Sequence, residues 1–368
     1  MYPSVDRLFT IIRSAKYKWF ANVYSKVSDM RKLLMFAMLI LVGVSCKKRQ
    51  DLTPNLLSAG DPEIGDVSKV ILDQFTITAI CFDRAGIAWL GTVNQGLIRY
   101  DGKTATVFDA SNSILTNAAI WDIVTDKAGN LWIASNNMIK FDGVKFTRFG
   151  AKEYNLPESR VTTIAVDAAD NVWFGCGTVS SGGLVKYNGK SFTVYSPDNS
   201  KLPGSLIKDV VVDGLGRIWV AVNSGISSVS LTRITGSKME VFGSAEMGFN
   251  PYYFNMLAVS RENTLIASLD YSLSSAYLTG RPQIFSFDGK NSTIIPMPEN
   301  KLQGFGGARI HVAKNGQLWT TVSLDHEIGV FSNNKWIFKN FGGEGILAFG
   351  ESPTGEMWLG GKGVAILK

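Results

Sequence analysis

Histidine and cysteine are scarce in this chain: 368 residues hold two histidines and three cysteines. A disulfide framework or a metal centre needs such residues at clustered, regular spacing, and neither CxxC nor a metal-ligand pattern is present. Cys81 and Cys176 fall at different points of the chain and read as small buried apolar side chains. No GxSxG, HExxH or P-loop occurs. The glycine-rich "GCGTVSSGG" from Gly175 has no following helix to cradle a phosphate. No metal or cofactor is therefore expected.

Charge is also sparse, at 18% of residues, and the formal net charge of +6 is unevenly placed. The 45 residues before Cys46 carry seven basic and two acidic side chains, leaving 30 basic and 29 acidic in the rest. Without a Lys/Arg cluster there is nothing to neutralise phosphates, so nucleic acid is not an expected partner. Long apolar runs are missing too. The longest, Leu33 to Val44, falls short of the roughly 20 residues that span a bilayer.

That run has a different meaning in context. "MRKLLMFAMLILVGVSCKK" from Met30 places two basic residues before a short apolar stretch, the order of a secretory signal. Its end, Ser45-Cys46, resembles the lipobox of bacterial lipoproteins. The resemblance implies lipid attachment at Cys46 after removal of residues 30–45. An outer-membrane lipoprotein of a Gram-negative bacterium follows, attached to the membrane through its lipid. The "KKRQ" after Cys46 favours the periplasmic side, with the cell surface as the other option. Residues 1–29 read as an upstream start-site artefact or an extended leader, and the polar stretch 46–68 as a flexible tether.

What the chain does have is repetition. "DRAGIAWLGT" from Asp83 returns as "DKAGNLWIAS", "DAADNVWFGC", "DGLGRIWVAV", "AKNGQLWTTV" and "SPTGEMWLGG". Trp89, Trp132, Trp173, Trp219, Trp319 and Trp358 mark the copies, at intervals of 43, 41, 46, 100 and 39 residues. The long interval holds a degenerate seventh copy, "SRENTLIASL", with Ile266 in the Trp position. Each copy reads as four short strands: "AIWDIVTD", a "KAG" hairpin, "NLWIAS", "MIKF", an Asp-Gly turn and "VKFTRF". Periods of 40–50 residues with four strands per unit predict an all-β, seven-bladed β-propeller over residues 69–368. The seventh copy stops after its third strand, while "KVILDQF" from Lys69 matches a fourth. The N-terminal strand is therefore predicted to complete the last blade and close the ring. The repeated Trp is expected to pack between neighbouring blades.

"VTTIAVDAADNVWFG…GGLVKYNGKSFTVY" resembles the two-component regulator propeller repeat across residues 69–368. In that family the repeats build the periplasmic sensing half of hybrid histidine kinases in glycan-degrading bacteria, and also freestanding lipoproteins. The resemblance implies a ligand- or partner-binding propeller in a sensing or uptake system, with a glycan or an envelope protein as its partner. The expectation is a binding module rather than a complete kinase sensor.

Candidate binding residues come from two loops and one ring of positions. "GSAEMGFNPYYFN" from Gly243 carries Tyr252 and Tyr253, and "DYSLSSAYLTGRP" from Asp270 carries Tyr271. Aromatics beside amides and charges suit sugar rings or peptide side chains. At the top of each first strand stand Thr78, Trp121, Thr162, Lys208, Asn255, Ala308 and Leu347, of which Trp121 and Lys208 are unusual for a core, with Arg309 one position on. "SLDHEIGV" from Ser323 adds His326. Streptogramin lyases are seven-bladed propellers that use a His with a metal, although their catalytic pattern is not matched here. Besides the ligand-binding reading, a protein–protein scaffold and a metal-dependent lyase or hydrolase centred on His326 remain open.

Overall fold

The computed structural model describes residues 60–116, 118–177, 181–224, 229–269, 284–301, 308–322, 327–341 and 345–368. All belong to the second of two units, Asn55–Lys368. Among them are twenty-six strands, numbered β1–β26 in chain order, and helical segments of no more than four residues. Every strand pairing is antiparallel. Five sheets have four strands and one has six, so the all-β class and the four-stranded unit read from the sequence are both found.

The second sheet shows how each unit is built. It comprises β5 (Asp122–Thr125), β6 (Leu131–Ala134), β7 (Met138–Phe141) and β8 (Phe146–Phe149) in sequential order. Hairpin geometry forces a left-handed residue between β5 and β6, and Gly129 supplies it at φ 86°. The same turn in the third and fifth units is made by Asp170 and Asn263, both at φ 60°. These residue types tolerate αL better than any other non-glycine. The degenerate copy is a genuine unit: Ile266 lies in β18 (Leu265–Leu269), fully buried in a four-stranded sheet.

The repeated phrase owes its spacing to one carboxylate. Asp83, Asp126, Asp167 and Asp213 each accept the backbone N–H four residues on, closing the turn. Their second oxygen accepts the indole N–H of the Trp six residues on, at 3.0, 3.0, 2.9 and 3.0 Å. A buried indole needs such a partner. In the fifth unit Ser260 closes the turn alone, and Ile266 has no N–H to satisfy. The last two units keep the Trp but have Ala313 and Ser352 in place of Asp. There the buried Nε1 atoms of Trp319 and Trp358 have no hydrogen-bond partner among the described residues.

The core is a series of clusters, all but that of Trp358 shared by neighbouring sheets. Trp89 packs with Leu131, Ile133 and Phe141 of the second sheet, Trp132 with Val172 and Phe174 of the third, and Trp173 with Ile218 and Val220 of the fourth. Trp219 continues the pattern with Leu265 and Phe285, and Trp319 with Met357 and Leu359. Trp358 packs with Ala88, Leu90, Ile98 and Tyr100, near the start of the propeller segment. This is the inter-sheet role expected of the repeated Trp.

The six-stranded sheet has the order β25–β26–β1–β2–β3–β4. In it, β26 (Met357–Leu367) pairs Met357–Gly360 with β25 (Ala348–Glu351) and Lys362–Leu367 with β1 (Val67–Phe82). The start of β1, Val67–Ile71, pairs with Val364–Leu367, and Thr76 pairs with Lys362. Leu72 then takes φ 57°, and from Ile77 onward the strand pairs with β2 (Ala88–Thr92). The segment before it, which the sequence puts in the tether 46–68, is fastened in its described part. Ser332 Oγ donates to Gly60 O at 3.0 Å, Lys339 Nζ to Gly65 O at 2.9 Å and Lys368 N to Asp66 O at 3.2 Å, while Ile64 packs into the cluster of Trp319. Polarity marked residues 60–66 as tether, but backbone carbonyls accept hydrogen bonds whatever side chain they carry.

Candidate functional site

The first strand of every repeat contributes to one cavity of about 800 Å³. Its wall is formed by β1, β5, β9 (Val161–Val166), β13 (Leu206–Val212), β17 (Phe254–Val259), β21 (Ile310–Val312) and β25, with the residues just before them. A cavity of this size is within the range that holds small ligands.

Three residues singled out from the sequence line it: Trp121, Lys208 and Arg309. Trp121 is fixed by its backbone N–H, which donates to Ala134 O at 2.9 Å, and the Arg160 guanidinium lies 4.8 Å from its ring centroid. Lys208 Nζ lies 5.3 Å from the ring of Tyr253, which brings that loop residue to the edge of the site. Cation–π contacts of this kind hold a charge in place without neutralising it. Thr78, Thr162, Asn255 and Leu347 complete the ring of positions, but in the sixth repeat the lining residue is Arg309. Ala308 is turned into the core instead.

Tyr252 packs partly buried against the core cluster of Trp219, as does Phe249, whose ring meets Phe285 edge-on at 4.8 Å. Tyr253 thus reaches a cavity residue from its loop. Tyr271, His326 and Cys46 lie outside the described residues. Among the described residues, no group of three His, Cys, Asp or Glu side chains is arranged to hold a metal ion. No helix of the described residues is long and apolar enough to cross a membrane.

One polar layer had not been singled out from the sequence. Asp122 and Asp209 occupy the same repeat position on β5 and β13, and both line the cavity. Asp122 Oδ2 accepts the N–H of Ile164 on β9 at 2.9 Å. Asp209 Oδ2 accepts the N–H of Leu257 on β17 at 2.7 Å, and its Oδ1 accepts the Thr163 hydroxyl of β9 at 2.7 Å. Each carboxylate therefore ties its strand to a neighbouring sheet. Burial pushes the Asp122 carboxyl up to about 7, with the charge of Asp209 adding to the rise. Asp209 is raised by the same desolvation. The signal was present in "IWDIV" and "IKDVV", where a charge interrupts an apolar strand at one repeat position. The raised carboxyls and the lowered pKa of the partly buried Arg309 give this layer the perturbed ionisation common at functional sites.

Comparison with known proteins matches the geometry. The profile of the two-component regulator propeller family matches residues 114–137, which span the second repeat's turn and its Trp. The extracellular domain of a putative one-component system from B. thetaiotaomicron superposes with a TM-score of 0.61 at 15% identity, covering 83% of this chain and 40% of that one. The corresponding domain of a putative hybrid two-component system from the same organism gives 0.61 at 18% identity, covering 80% and 39%. This chain thus spans about 40% of the length of those sensor domains. A catalytically inactive virginiamycin B lyase from Staphylococcus aureus, solved with quinupristin, gives 0.61 at 14% identity, covering 84% and 99%. No curated protein matches the chain in sequence. At these identities the likeness establishes the fold, and the repeat establishes the family resemblance: the chain is a β-propeller carrying the two-component regulator propeller repeat.

Proposed function

We propose that this chain is a lipid-anchored envelope β-propeller of seven blades that binds a glycan-type ligand at the mouth of its central cavity. The observation that carries the reading is the cavity of about 800 Å³, with Trp121, Arg160, Lys208 and Arg309 in its wall. A flat aromatic face beside fixed hydrogen-bond donors suits a sugar ring and its hydroxyls. Seven first strands around one cavity support seven blades. The pairing of Val67–Ile71 with Val364–Leu367, and the packing of Trp358 against Leu90, support closure of the ring. The anchor rests on Ser45-Cys46, and an envelope location is in keeping with the extracellular sensor domains that share the fold.

Thermal shift of the chain from Lys47 against an oligosaccharide library tests the binding reading. A ligand at about 100 times its Kd adds roughly 2.7 kcal/mol of stability. We expect a hit whose shift disappears in Trp121→Ala. A hit untouched by that change would move the site away from the cavity, and silence across the library would remove the glycan. The anchor is checked by labelling cells with a radioactive fatty acid: the full chain should take up label, and Cys46→Ala should not.

A further inference from the structure

Arg309 is the least conventional residue of the cavity. Its side chain is partly buried in the cavity wall, and desolvation pulls its pKa below the usual arginine value, opposed by the charges of Asp209 and Asp122. The guanidinium has one hydrogen-bond partner among the described residues, Met256 Sδ at 3.8 Å from Nη1. A thioether is a weak acceptor, and a guanidinium presents five donors and does not deprotonate in proteins. No described carboxylate forms an ion pair with it. A partly buried cation with no hydrogen-bonded counter-charge among the described residues has donors left to offer an anion that enters the cavity.

The two acids of the cavity do not fill that role. Asp122 is committed to the N–H groups of Ile123 and Ile164, and Asp209 to Thr163, Val210 and Leu257. They temper the field of Arg309 at a distance without contacting it. A singly charged carboxylate matches the guanidinium fork with two parallel hydrogen bonds. Arg160 and Lys208 in the same wall add to the positive side.

We propose that the cavity binds a carboxylate-bearing sugar, a uronate, with its carboxylate on the Arg309 guanidinium and a ring face toward Trp121. This rests on the glycan-site reading above and names the chemical class of the ligand.

The test is isothermal titration of the chain from Lys47 with trigalacturonate and with its fully methyl-esterified form, which has the same rings without charge. The acid should bind, and the ester at least about tenfold more weakly, equivalent to roughly 1.4 kcal/mol. Arg309→Gln should weaken the acid by a similar factor while leaving the ester unchanged, and a melting curve establishes that the variant is folded. Equal binding of acid and ester by the wild type would overturn the uronate and leave the sugar site standing. So would a sulfated trisaccharide that binds where trigalacturonate does not. Free glucuronate bound by the wild type and lost in Arg309→Gln, with no oligosaccharide bound, would support the Arg309 contact and remove the oligosaccharide reading.

Discussion

The Asp of each repeat turn links a local signal to a distant one. One oxygen caps the turn, and the other takes the indole six residues on. An extended strand after a tight hairpin brings the indole back over the turn, which is why the spacing is constant while the residues between vary. The contrast between units makes the energetics testable. Asp167→Ala leaves Trp173 Nε1 and two turn N–H groups without their acceptor and should cost about 1–3 kcal/mol. Ala313→Asp does the reverse for the orphaned Trp319 Nε1, and should raise the melting temperature by about 2–4 °C, the shift of roughly one kcal/mol. Differential scanning calorimetry of the two variants checks both signs, and a destabilising Ala313→Asp would contradict the account.

At the scale of elements, neighbouring sheets are tied by apolar clusters and by the buried carboxylates of first strands. The second kind of tie responds to pH. In the unfolded chain Asp122 titrates near its ordinary 3.8, while in the folded chain burial raises it to about 7. Between those values the folded state holds more protons than the unfolded, so this group's contribution to stability falls as pH rises from 3.8 to 7 and levels off above. Asp209, raised for the same reason, acts with the same sign. Carboxylates lowered by hydrogen bonds, such as Asp101 and Asp109, titrate below that window, and the lowered Glu240 and Glu351 act with the opposite sign only near its acid end. Melting temperatures across pH 4 to 8 should therefore decline through the window, and Asp122→Asn, whose amide oxygen keeps the Ile164 bond, should flatten the decline. A slope unchanged in the variant would place its origin in another group.

For the molecule as a whole, the question is how a chain of repeats avoids a free sheet edge. The last repeat has two strands of its own, β25 and β26, and Val67–Ile71 supplies backbone partners to Val364–Leu367. An uncovered edge would be a template for aggregation. A chain lacking residues 1–75 should lose more than about 4 °C of melting temperature, roughly one kcal/mol or more, and should aggregate at concentrations where the chain from Lys47 stays dispersed. Light scattering and calorimetry read both. An unchanged melting temperature would argue against the N-terminal strand as the clasp of the proposed ring.

Sequence by itself determined the repeat, the strand and turn pattern, the four-stranded unit and the inter-sheet role of Trp. Each depends on neighbours within about ten residues or on a periodicity that recurs along the chain. Trp121 and Lys208 were also legible, because a large or charged side chain stands out where other repeats have Thr, Asn or Ala, and Arg309 was singled out one position on. Only the tertiary structure decided that Arg309, and not Ala308, faces the cavity of the sixth repeat, since a shift of one residue in a strand reverses which side chain points inward. It alone paired Asp122 with Ile164 and Asp209 with Leu257, over separations of 42 and 48 residues. It alone fastened Gly60–Asp66 through carbonyl groups that every residue carries. Periodicity reports which face a residue occupies, but a hydrogen bond between sheets is fixed by how those sheets meet.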